Sequence, residues 1–175
     1  MYMNNVNKTT RGKVSKIDLA YTAGLIDGEG SISILRARRS NPNYKSPAYI
    51  LSVTCTNTHK GIIEWMHEMF GASKALRQRH RNNPKWKDSY HWCTAANMAL
   101  EFLQQIQPYL RIKRKQAELA INFQQNRTRK KKLISSGIKN GYILSPETIQ
   151  EREKVYIKMI RLNGRHILKP PAETK

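Results

Sequence analysis

Leu19-Ala20-Tyr21-Thr22-Ala23-Gly24-Leu25-Ile26-Asp27-Gly28-Glu29-Gly30-Ser31-Ile32 is the stretch that decides the fold. A helix-forming apolar run closes on Asp27, Gly28, Glu29 and Gly30, and an alternating strand pattern begins directly after it. The switch predicts a helix over 16–28 and a strand over 31–39. It sets a carboxylate at a helix C-terminus, where the dipole already favours a cation. Carboxylate and carbonyl oxygens are the ligands a hard divalent ion such as Mg²⁺ takes. Gly24 and Gly28 lie about one turn apart and leave one helix face without side chains. A second helix can pack against such a face at very short range.

Ala23-Gly24-Leu25-Ile26-Asp27-Gly28-Glu29-Gly30 resembles the LAGLIDADG homing endonuclease motif position by position, with Glu29 where Asp is commoner. One copy is present. The resemblance implies a homodimer, because single-copy members of that family build two active sites from two chains. It implies that Ala20, Ala23, Gly24, Asp27 and Gly28 form the dimer interface.

The chain has 175 residues, a length that suits one domain with an added segment. Its hydrophobic content of 39% fills a modest core. The formal charge is +20 and the sequence pI about 10.3. Self-repulsion on that scale argues for an anionic partner, most simply nucleic acid. A basic protein that coats RNA shares this composition. Cys55 and Cys93 stand far apart with no CxxC spacing. That excludes a zinc finger and argues against a disulfide framework, as expected of an intracellular protein, in a prokaryotic cytoplasm or an organelle. No apolar run approaches a membrane span. Residues 1–15 are basic, lack the apolar region of a secretory signal and read as a flexible arm.

Turn signals divide the rest. Asn41-Pro42-Asn43 and Ser46-Pro47 precede a second strand over 48–56, with Leu51, Val53 and Cys55 on one face and Ser52, Thr54 and Thr56 on the other. Asn57-Thr58 is expected to cap a helix over 60–70, which Gly71 stops. A third strand is expected over 75–81, where Arg77, Arg79 and Arg81 alternate with Leu76, Gln78 and His80. The fourth is expected over 86–93, with Trp86, Tyr90 and Trp92 opposite Lys87, Ser89, His91 and Cys93. Helices over 96–105 and 113–126 follow. Residues 127–144 read as a basic linker, and Ser145-Pro146-Glu147 starts a last helix that Asn163-Gly164 ends. The predicted class is α+β, in the order α-β-β-α-β-β-α-α, with a four-stranded antiparallel sheet, helices on one face and an added C-terminal helix. The organisation is an arm at 1–15, a core domain at 16–126, a linker at 127–144 and a C-terminal helix and tail at 145–175. By resemblance, the open face of the sheet is a saddle for the DNA major groove.

Hydroxyls and cations on that face suit base edges and phosphates. Ser31, Ser33, Arg39, Ser52, Thr54, Thr56, Arg77, Arg79, Arg81, Lys87, Ser89 and His91 are expected to face DNA. In the first strand Ile32 and Ile34 point inward, which would send Arg36 inward too, so a bulge or an early strand end is expected there. By resemblance Glu29 is the metal ligand and the Gly28 carbonyl a second one, with Asp27 mainly structural. His59 falls where the family carries a polar residue that arranges the attacking water, and a histidine there can also accept a proton. Lys113 falls in a Pro-x-Leu-x-x-Lys pattern whose lysine points into the family's active site, where it can stabilise the phosphorane.

Together these features lead to a homodimeric, intron-encoded DNA endonuclease for intron homing. It would cut a long pseudo-palindromic double-stranded target by hydrolysis, with Mg²⁺ or another divalent ion such as Mn²⁺ as cofactor. A maturase that binds its own intron RNA, or a DNA-binding regulator with a decayed site, fits the same composition.

Overall fold

The computed structural model describes residues 14–37, 47–72, 77–79, 87–134 and 145–164. The arm before Val14, Arg39, Arg81, Trp86 and the tail after Gly164 lie outside them. Helix α1 (Lys16–Glu29) runs directly into strand β1 (Gly30–Ala37). Ser15 caps α1 in a capping box: its hydroxyl accepts the Asp18 N–H at 3.1 Å, and the Asp18 carboxylate accepts the Ser15 N–H at 3.2 Å. The helix-to-strand switch works only with glycine at 30. A Cβ there would stand 2.7 Å from the Ile26 Cα and 2.8 Å from its carbonyl oxygen.

Strand β2 (Ala48–Asn57) pairs antiparallel with β1 in unbroken register, from Gly30 opposite Cys55 to Ala37 opposite Ala48. Helix α2 (Lys60–Phe70) follows and ends at Gly71, whose φ of +65° lies in the region glycine favours. The short β3 (Arg77–Arg79) lies at one edge beside β4 (Ser89–Ala95), giving the order β1-β2-β4-β3. Helix α3 (Ala96–Ile106) follows β4 without a loop. A 3-10 turn (Gln107–Tyr109) then leads to α4 (Arg114–Ile134), and α5 (Pro146–Leu162) completes the chain.

The five α-helices among the described residues lie to one side of the sheet, where their buried side chains meet one strand face. The core is built from Ile32, Ile34, Leu51, Val53, Cys55 and Trp92 of the strands. Ile63, Met66 and Phe70 of α2, Phe102, Leu103 and Ile106 of α3, Ala117 and Ala120 of α4, and Met159 of α5 meet them. The Trp92 indole donates to the Gly71 carbonyl at 2.7 Å, so its one polar atom is satisfied while the ring is buried.

Several expectations need correction. Arg36 does lie on the helix-side face, and β1 neither bulges nor ends before it. Its guanidinium is accommodated because α5 supplies an acid there: Arg36 Nε stands 3.2 Å from Glu153 Oε2. The Tyr49 hydroxyl donates to the same carboxylate. Burial and that hydrogen bond push the Tyr49 phenol up to about 12. The expected linker at 127–144 is helical in its first part, since α4 continues to Ile134. Arginine and lysine are good helix formers, and the next glycine comes only at 137. The fourth strand begins at Ser89, so Lys87 precedes it as an exposed residue.

Ser145 caps α5 with Pro146 at its first position, as expected, and the helix docks on its own chain. Asn163 Nδ2 donates to the Ile32 carbonyl at 3.0 Å, and Gln116 Nε2 donates to the Leu162 carbonyl at 3.1 Å. The first of these ties α5 to the edge strand of the sheet.

Candidate active site

Glu29 is the last residue of α1 and is exposed. The end of α1 and the turn that leads into α4 hold each other beside it. The Asp27 carboxylate accepts the N–H groups of Arg111, Ile112 and Lys113 at 2.7, 3.1 and 2.9 Å. In return the Lys113 ammonium donates to the Ile26 and Asp27 carbonyls at 2.9 and 2.5 Å. Each helix end thus receives the charge its dipole favours: an anion at the α4 N-terminus and a cation at the α1 C-terminus. Burial pushes the Asp27 carboxyl up, but the three amides and the nearby ammonium outweigh it and hold it below its ordinary value. The Cys55 thiol lies beneath. Burial chiefly, with the charge of Glu29 next, pushes it up to about 11.

The face of α1 leading to Glu29 is uncovered. Ile17 is 81% exposed and Tyr21 53%, while Ala20, Gly24 and Gly28 are exposed between them and Glu29. A Cβ built on Gly24 or Gly28 meets nothing within 4 Å. Ala23 corrects the expected interface set. It is fully buried and turned into the chain's own core with Thr22 and Ile26, because it lies on the other side of the helix from this stripe. Asp27 is half-buried and committed to α4. Ile17, Tyr21 and the 73% exposed Ile112, which follows Arg111 at the same junction, add apolar area to this uncovered surface and lie outside the motif's own residues. The i, i+4, i+7 spacing of Ile17, Tyr21 and Gly24 is its signal in the sequence.

His59, not Asn57 or Thr58, is the N-cap of α2. Its Nδ1 accepts the Ile62 N–H at 3.3 Å, and its own N–H donates to Asn57 Oδ1 at 2.8 Å. An accepting Nδ1 places the ring proton of the neutral imidazole on Nε2. The side chain that sequence reading treated as a proton acceptor therefore has one nitrogen committed to the helix.

On the helix-free face of the sheet, register aligns Ser31 with Thr54 and Cys93, Ser33 with Ser52 and Ala95, and Thr56 with His91. Thr56 Oγ1 and His91 Nδ1 are 2.8 Å apart. Arg77 stands opposite His91, and Arg79 opposite Ser89. Ser52 and Ser89, expected at the DNA-facing surface, are each only 4% exposed. The Ser52 hydroxyl lies 3.8 Å from Cys93 Sγ. Ser89 also lies within 3.4 Å of His91 Nε2.

Glu29 offers a hard oxygen ligand, with the Gly28 carbonyl on the preceding residue. Among the described residues one chain assembles no cluster of three His, Cys, Asp or Glu side chains able to hold a metal. The donor chemistry suits Mg²⁺, but one copy brings only part of a coordination sphere.

No protein-family model and no curated protein matches the sequence. Solved structures do match the fold. I-CvuI, a homing endonuclease in complex with the I-CreI target in the presence of magnesium, aligns at a TM-score of 0.53 and 20% identity over 87% of this chain and 97% of its own. I-Vdi141I, an archaeal intron-encoded homing endonuclease complexed with DNA, aligns at 0.62 and 12% identity over 91% and 89%. The LAGLIDADG homing endonuclease I-GzeII, in complex with its DNA target, aligns at 0.58 and 12% identity over 90% of this chain but 53% of its own. At these identities the likeness establishes the fold, and the fold of this chain is that of the LAGLIDADG homing endonucleases.

Proposed function

We infer that this chain is a site-specific DNA endonuclease that acts as a homodimer on a long pseudo-palindromic target. The observation that carries the inference is an uncovered, glycine-notched face of α1 ending in an exposed Glu29. Glycine inside a helix costs about 1 kcal/mol relative to alanine. Gly24 and Gly28 incur that cost at positions where nothing in their own chain needs the space. A second α1 docked there lets two backbones approach closely and brings the two Glu29 carboxylates together on a two-fold axis. The alignments agree with this count of copies, since the chain spans nearly all of I-CvuI but about half of I-GzeII.

In the dimer each chain lays the open face of its sheet along the major groove of one half-site. The charge of +20 supplies affinity for the phosphates. Half-sites about one turn apart give a target of roughly 20 base pairs. Glu29 and the Gly28 carbonyl from both chains would hold divalent cations, Mg²⁺ or Mn²⁺. Such ions, when bound, supply positive charge to the attacking and leaving oxygens of phosphodiester hydrolysis. Lys113 clamps the last carbonyls of α1 and so fixes the direction in which Glu29 leaves the helix. Asp27 secures the same junction from the other side. His59 offers its Nε2–H to a phosphate oxygen or to ordered water.

A nicking assay on supercoiled DNA carrying a selected target, with and without Mg²⁺, tests this function. Wild type should linearise the DNA only with the divalent ion, and Glu29→Gln should bind the target but not cut it. Cutting by Glu29→Gln at the wild-type rate would remove Glu29 from the mechanism.

A further inference from the structure

The helix-free face of the sheet changes chemistry along its strands. Near the α1–β1 switch it carries Ser31, Ser33, Thr54 and Thr56. Farther along, the same alternation brings Leu35 opposite Ile50 and then Ala37 opposite Ala48. Leu35 is 48% exposed, one of few large apolar side chains in that state among the described residues. Strand β4 ends at Ala95, opposite Ser52, so beyond that point the face is two strands wide among the described residues. Helix α5 covers the opposite face at this end, where Arg36 and Tyr49 meet Glu153. The apolar end is thus continuous with the hydroxyl-bearing part of one open surface.

We propose that the Leu35–Ile50 pair reads the C5-methyl group of a thymine in the major groove and fixes a base preference in the outer part of each half-site. The proposal rests on the DNA-binding function above. Charge selects the occupant: with 32 basic and 12 acidic residues, the chain suits a polyanion better than another copy of itself on this face. Of the groups a base pair presents in the major groove, the thymine methyl is the apolar one. Leucine and isoleucine have no hydrogen-bonding atoms, so a methyl is what they can distinguish. Spacing locates the contact. Alternate residues of a strand are about 6.6–6.8 Å apart, and base pairs rise about 3.4 Å. From Ser31 to Leu35 the strand therefore advances about four base pairs away from the switch where Glu29 lies.

The test starts by selecting targets for the full-length protein from a pool of randomised duplexes. Each thymine in the selected site is then replaced by deoxyuridine, which removes only the methyl. The expected result is a loss of affinity of about four-fold at one outer position per half-site, the size of one buried methyl. Leu35→Ser should bind thymine and deoxyuridine alike at that position while selecting the same bases elsewhere, and its melting curve should match wild type. A selected site at which every deoxyuridine is neutral overturns the proposal and leaves the DNA-binding function standing. So does a Leu35→Ser protein that keeps the full discrimination, or one that changes its oligomeric state instead. A pool that yields no enriched sequence overturns both.

Discussion

Among the described residues one polar clamp fastens α5 to the sheet and another locks the end of α1 to the approach of α4, and only the second leaves something unfinished. At the α5 seam, Arg36 and Tyr49 meet Glu153, and Asn163 ties the edge of β1. That seam is closed within one chain. At the α1–α4 junction, Asp27 holds the turn before α4 and Lys113 caps the end of α1. Yet the junction ends in an exposed carboxylate, two open glycine notches and bare apolar side chains. The comparison teaches that a polar clamp alone marks stability. We place function where a rigid clamp holds an exposed acid and glycine notches that their own chain leaves open.

Mutations at the two clamps should therefore separate. Glu29→Gln has the largest expected effect. Loss of several kcal/mol of charge stabilisation slows cutting about a thousandfold or more, with melting unchanged; gel shift and plasmid cleavage read the two sides. Asp27→Ala leaves three amides without their acceptor and should cost about 2 kcal/mol by denaturant titration. It should also lower cutting, because Glu29 loses its support. Asp27→Asn adds a pH test. The folded Asp27 carboxyl titrates below its ordinary value, about 3.9 in an unfolded chain. Its stabilisation is full above that value and is lost as the pH falls through the folded one. The melting temperatures of wild type and Asp27→Asn should therefore converge on acidification below about pH 4 and differ at neutral pH.

Lys113→Met removes the cation from the end of α1 and should cost about 1 kcal/mol, together with a fall in cutting. Glu153→Gln has the smallest expected effect. The Arg36 side chain is half exposed, so that ion pair contributes little. Weakening the Tyr49 hydrogen bond should cost about 1 kcal/mol or less and leave cutting untouched. A large loss of cutting in Glu153→Gln would erase the distinction between the two clamps.

Much of the fold was legible because its signals are local. Ser145-Pro146 starts α5, Gly71 ends α2, and Gly30 is required where strand follows helix without a loop. What escaped the sequence depends on distant partners. Arg36 looked unlike an inward residue because the acid that receives it lies on α5. The basic run after 126 reads as a linker by its charge, whereas its helix propensity carries α4 to Ile134. At the site, the motif pointed to Glu29 and the glycines. It could not tell that Ala23 turns inward, that His59 is spent in part on capping α2, or that Lys113 holds carbonyl oxygens.

The central claim is that Gly24 and Gly28 exist to receive a second α1. Sedimentation equilibrium of Gly24→Leu tests it most directly, because a Cβ at that position meets nothing within 4 Å in its own chain. The predicted result is a dimeric wild type and a monomeric variant whose secondary structure is intact and which no longer cuts both strands. A Gly24→Leu protein that still sediments as a dimer and still makes double-strand breaks would contradict the claim.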